Sequence, residues 1–278
     1  MGTVTVELTN GFGNNIFQYV AARQLAYFLK SELIVLPPEP DYYAIPDLEK
    51  MGIKISQSPT HREEIIIDDS NYLSSFNRKI QKKNITVSGY FENYKYFIEN
   101  LDLIKPWFPE VTPRQDNDLV LHFRGGDRLF YKNGFDSNPP VENFLNAINK
   151  FDFDRLHIVT DMPEWRPLTN SELNEMKFHY DAPTTSRINI ETSTEYFNSI
   201  VEGLSSLDPI IRHGSVGDDF NYIRTFKNIL FQHGTLSWWA AFLSDADKVG
   251  VYGPWRPWKG DSNKNLSDVK LDWWFKWE

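Results

Sequence analysis

The chain has 278 residues, is 41% hydrophobic and 15% aromatic, carries a net charge of −9 and contains no cysteine. That acidity argues against the basic face that a nucleic-acid backbone requires. The missing thiols exclude disulfides and thiolate metal centres and are compatible with a reducing cytosol. No run approaches the ~20 apolar residues of a membrane span, so a cytoplasmic chain, peripheral to a membrane at most, is expected, with a length that suits roughly two domains.

In chain order, residues 3–8 alternate apolar and polar at period two, as a strand does. A Gly-Phe-Gly-Asn-Asn turn follows at 11–15, apolar residues then recur at helical spacing from Ile16 to Leu29, and residues 33–36 form a second strand stopped by Pro37 and Pro38. This is a βαβ unit whose turn aims backbone N–H groups and a helix dipole at an anion. A dinucleotide fingerprint would need a small residue where Ile16 stands, which disfavours a nicotinamide site despite Glu39. Asn14 is the side chain to watch here, either as a ligand contact or as an ordinary support of the turn.

The pattern weakens from 40 to 86, with a short strand at 65–67. Residues 86–97 run from a strand toward a helix, and Tyr90, Phe91, Tyr94, Tyr96 and Phe97 suit either core packing or sugar stacking. Pro106, Pro109 and Pro113, followed by a polar bridge at 114–118, place a boundary between domains 1–115 and 116–278.

From Leu119 to Phe123 an apolar run of β type discharges into Arg124, Gly125, Gly126 and Asp127. Arg124 offers a planar five-donor fork for phosphate oxygens, and the glycines let the backbone approach a bound group. Gly-Gly is equally an ordinary turn, and Arg-Asp an ordinary surface pair. A helix is expected over 141–150, strands over 156–161, 228–232 and 248–252, and a helix over 194–205. A loop is expected around 213–218, a helix over 238–243 after His233-Gly234-Thr235, and an aromatic tail at 271–277 that packs back on the body. Strands ending in small polar turns fit a doubly wound nucleotide domain. Two Asp-x-Asp pairs, 152/154 and 245/247, precede their strands and so stand at the wrong end to hold a cation on a diphosphate. The six histidines show no metal-ligand spacing, so no metal site is expected.

Four stretches, 11–23, 89–97, 122–127 and 235–243, resemble, in order, motifs of inverting α-1,2-fucosyltransferases, and 159–165 is similar to a further one. Two positions depart from that pattern: Gly125 replaces a second arginine, and His233-Gly234 replaces Asn-Ser. The resemblance implies an α/β chain of GT-B type, with two Rossmann-like domains facing each other across a cleft. Residues 1–115 would form the acceptor side and 116–278 the nucleotide-sugar side. It implies GDP-fucose as donor, a glycan acceptor fucosylated α-1,2 on galactose, inversion and no required metal. Carried over by position, Arg124 would meet the β-phosphate and stabilise departing GDP, His122 and Asp161 would meet guanine and ribose, Thr235 and Ser237 would donate to phosphate, and Asn14 would approach from the first domain. Asp127 would fix the arginine or the turn. An inverting displacement also benefits from a base, for which Asp127 and Asp136 are candidates, the latter in an acceptor-side loop at 132–140. The Gly125 change keeps two alternatives open, a same-fold transferase with another nucleotide sugar and a non-catalytic glycan-binding relative.

Overall fold

The computed structural model of the protein describes residues 2–9, 11–56, 64–125, 139–161, 187–253 and 269–278. The first half comprises β1 (Thr3–Glu7), α1 (Phe12–Leu29), β2 (Glu32–Leu36), α2 (Ile45–Lys50), β3 (Ile65–Ile67) and β4 (Ile85–Val87). Its four strands are parallel, in the order β2-β1-β4-β3. Helix α1 is buried on nearly every side, from Phe12 through Leu25 to Leu29, because it lies between this sheet and a helix of the second half. It stops at Lys30, which takes the left-handed conformation (φ 52°) and closes the last turn onto Ala26 and Tyr27 carbonyls.

After the short α3 (Leu101–Ile104) the second half comprises β5 (Leu119–Phe123), α4 (Val141–Ile148), β6 (Leu156–Thr160), α5 (Arg187–Gly203), β7 (Ile210–Arg212), α6 (Val216–Arg224), β8 (Asn228–Phe231), α7 (Thr235–Leu243), β9 (Lys248–Tyr252) and β10 (Phe275–Trp277). All six strands are parallel, in the order β10-β9-β8-β5-β6-β7. Counted from β5, that is the doubly wound Rossmann order, reversing direction between β5 and β8. Central strands β5, β6 and β8 are buried at every position, which explains why they read in sequence as continuous apolar runs without alternation.

The two sheets turn their carboxyl ends toward each other. The turn after β1 meets the turn after β8, where an added Cβ on Gly13 would collide with the Leu236 and Thr235 backbone. The segment after β2 meets the turn after β7, where Ser215 Oγ donates to Asp47 Oδ1 at 2.9 Å. Behind these contacts one apolar core runs from β1 through α1 into α7 and β8, with Phe17 4.7 Å and 4.9 Å from the rings of Trp238 and Trp239. The architecture is thus the expected α/β one, two Rossmann-like halves that face each other.

Local expectations shift in three places. The 213–218 loop is short, because α6 already starts at Val216 with Ser215 as N-cap, its hydroxyl accepting from Asp218 N at 3.2 Å. Helix α5 begins at Arg187 rather than near 194. The 86–97 stretch forms a strand and then 3-10 turns over Tyr94–Tyr96 and Ile98–Asn100 in place of a helix start. Its Phe91 and Phe97 are core residues, fully buried, whereas Tyr90 is exposed. The tail packs back as expected, with Trp277 buried and its indole N–H donating to Phe231 O at 3.2 Å.

Candidate nucleotide site at the switch point

A doubly wound sheet binds ligands where its strand order reverses, at the carboxyl ends of the two strands that flank the gap. In the second half those ends are His122 to Gly125 after β5 and Gln232 to Thr235 after β8. Arg124 N donates to Gln232 Oε1 at 2.9 Å, which ties the two ends together. From the next strand, β6, Asp161 reaches across to hold the arginine. Its carboxylate pairs with Arg124 Nη1 and also accepts from Gly125 N at 3.0 Å. The pair is partly open, with side chains 30% and 28% exposed, so the braced guanidinium still reaches the surface.

Helix α7 begins here, and so does α1 from the first half. Neither first turn contains an acidic residue, and neither N-cap, Gly234 nor Gly11, supplies a side-chain cap. Two positive dipole ends are therefore pressed together next to an arginine, with first-turn N–H groups lacking intrahelical acceptors. Such an arrangement is self-repelling by itself and is relieved by an anion. Only glycine at position 13 lets the ends come this close.

His122 sits beneath the notch. Burial, with a lesser contribution from the Arg124 charge, pushes its pKa down to about 3, so the ring is neutral near pH 7. Its Nδ1 is buried and has no hydrogen-bond partner among the described residues. Protonation of such a ring favours unfolding. Its contribution to stability is complete above the ordinary histidine value of 6.5 and is lost as the pH drops from there toward 3, by up to about 1.4 kcal/mol per pH unit. Urea midpoints measured from pH 7 down to pH 5 are expected to fall, and the slope should flatten in His122→Asn. An equally steep slope in that variant would assign the acid sensitivity to other groups.

The remaining expected site residues fall as follows. Asn14 lies half-buried in the first turn of α1, and the turn-supporting role belongs to its neighbour, since Asn15 Nδ2 donates to Thr9 O at 2.9 Å. Thr235 opens α7 at the notch. Ser237 is fully buried, and its hydroxyl donates to Gly234 O at 3.1 Å, shaping the turn from inside. Asp127 and Asp136 lie outside the described residues, as does the 162–165 part of the middle motif.

Two partners at these strand ends escape a reading of the sequence. Gln232 gives only a weak signal, a buried amide closing an apolar strand. Gln18 gives none. It bridges the switch point of the first sheet, accepting from Thr9 N at 2.9 Å and donating to Thr9 Oγ1 at 2.7 Å and Gly89 O at 3.1 Å. That side chain thereby links the segments that follow β1 and β4.

Fold and site define a doubly wound α/β protein with a cationic, N–H-rich notch at its switch point. No family model matches the chain, and no curated protein matches it. Among solved structures, a mutant of Arabidopsis thaliana FUT1 in complex with GDP is similar at a TM-score of 0.44 and 8% identity, over 90% of this chain and 70% of that one.

Proposed function

We propose that the protein is an inverting glycosyltransferase that moves fucose from GDP-fucose to a hydroxyl of a glycan acceptor, α-1,2 on galactose, in the cytoplasm. Residues 1–115 would serve the acceptor and residues 116–278 the donor. The observation that carries this reading is Arg124, braced by Asp161 and Gln232 beside two uncapped helix starts, which is the charge pattern a leaving diphosphate needs.

In the reaction the acceptor oxygen attacks C1 of the sugar from the face opposite the nucleotide, the bond from C1 to the β-phosphate oxygen breaks, and GDP departs with the electron pair. Arg124 and the first-turn N–H groups of α7 take up the charge that develops on that oxygen, so stabilisation is preorganised and requires no divalent ion. Thr235 donates to a phosphate oxygen, Asn14 approaches from the opposite helix, and Ser237 keeps the Gly234 turn in shape. The neutral ring of His122 meets the guanine edge, and Asp161 adds a ribose contact while bracing the arginine. A carboxylate, Asp127 or Asp136, accepts the hydroxyl proton.

Calorimetric titration with GDP, UDP and ADP, followed by a transfer assay with GDP-fucose in the presence and absence of EDTA, tests the reading. GDP is expected to bind at least ten-fold tighter than the other two, and turnover to survive chelation. Preference for UDP would overturn the fucose donor, loss of activity in EDTA would overturn the metal-free step, and neither binding nor turnover would favour a glycan-binding relative.

A further inference from the structure

At the opposite end of α1, about 27 Å along the helix axis from the notch, a groove of about 650 Å³ opens between the last turns of α1 and the segments around residues 76–78 and 100–103. That volume is within the roughly 300–1,000 Å³ of small-ligand sites. Its lining includes Tyr27, Phe28 and Phe76, two cations, Lys30 and Arg78, and no acidic residue, although the whole chain carries a charge of −9. Tyr27 is 64% exposed, an unusual outlay of aromatic surface. Phe28 lies edge-on to Phe76 at 5.4 Å and under the Arg78 guanidinium at 5.7 Å, so ring faces and a planar donor group stand side by side.

A second, independent feature lies in the same wall. Gln24, 2% exposed, lines the groove. Its Nε2 donates to Tyr96 O at 3.1 Å and to Tyr72 Oη at 3.3 Å, and the Tyr72 hydroxyl itself donates to Ala21 O at 3.0 Å. Both neighbours are therefore acceptors, which fixes the amide's orientation and leaves Oε1 buried without a donor among the described residues. These bonds tie that wall of the groove to the Tyr72 and Tyr96 segments. Aromatic faces for C–H stacking, a guanidinium fork and an ammonium are together the chemistry that recognises a sugar carrying carboxylates.

We propose that this groove is an accessory carbohydrate site for an acidic oligosaccharide, separate from the nucleotide notch and independent of the donor assigned there. The test is an NMR titration of the full chain with trigalacturonate and with maltotriose, in excess GDP so that the notch is occupied, at low and at high salt. Expected are trigalacturonate shifts that weaken with salt and an affinity at least ten-fold lower in Tyr27→Ala and in Arg78→Ala, with GDP affinity unchanged in both. Both side chains are exposed, so neither variant should fail to fold. Absence of trigalacturonate binding in the wild type, or binding unaltered in both variants, overturns the site; equal binding of maltotriose overturns its acidic preference. Failure of GDP to bind would count against the nucleotide reading alone.

Discussion

Arg124→Ala is expected to lower both GDP affinity and the rate of fucosyl transfer, the rate by about 10²–10³-fold, the range found when one preorganised donor to a developing oxyanion is removed. The effect should be larger on turnover than on binding of the intact donor, because charge on the β-phosphate oxygen rises as the sugar leaves. Arg124→Lys should recover little of it. Lysine keeps the charge but not the planar fork, which here already pairs with Asp161. Asp161→Asn separates bracing from charge. It leaves the guanidinium in place, weakens its support and the Gly125 N–H contact, and should raise the apparent KM with a smaller change in kcat. Calorimetry for GDP and initial rates for GDP-fucose read both quantities. Equal GDP affinity in wild type and Arg124→Ala would remove the arginine from the site and with it the proposed mechanism.

How much of this could be read from the chain alone depends on how far apart the interacting residues lie. Strands β5, β6 and β8 are legible because central parallel strands are buried on both faces and must be largely apolar. Strand β7 is not, since it sits at the sheet edge with Ile210 and Ile211 41% and 46% exposed, and three residues give no period. The start of α6 was available in the Ser215-x-x-Asp218 spacing, a capping signature, but the glycines at 214 and 217 favour a loop when read locally. At the site, residue type at a strand end pointed to Arg124, and the family resemblance added His122 and Asp161. Their geometry did not follow from type: the Arg124–Asp161 pair spans 37 residues and the Arg124–Gln232 bond 108. The resemblance assigned Asp127 to the arginine or the turn; that residue lies outside the described ones, and the fold brings Asp161 to the arginine from the neighbouring strand. Likewise Asn14 and Asn15 are adjacent amides that only the helix start distinguishes, one half-buried and one tied to Thr9.

The seam between the halves supplies the other large effect. Trp239 is fully buried and gathers first-half rings around a second-half helix, with Phe17 at 4.9 Å, Phe97 at 5.2 Å and Phe108 at 6.4 Å. Trp239→Ala should cost about 3–5 kcal/mol, from lost burial and an unfilled cavity. Because a single core crosses from α1 to α7, that loss should lower one cooperative transition for the whole chain rather than release one half. Phenylalanine at the two tryptophans should then distinguish them. The Trp239 indole N–H is buried without an acceptor among the described residues, so Trp239→Phe removes an unsatisfied donor along with some packing and should recover most of the alanine loss. Trp238 stacks on Phe242 at 4.7 Å and its N–H donates to Val269 O at 2.6 Å. Trp238→Phe strands that carbonyl, adding about 1–3 kcal/mol to the packing loss. Urea unfolding followed by both tryptophan fluorescence and far-UV circular dichroism measures the order and the cooperativity together. Two separated transitions in wild type, or Trp239→Phe as damaging as Trp239→Ala, would mean that the halves are not joined through this ring. The convergence of α1 and α7 that builds the notch would then need another support.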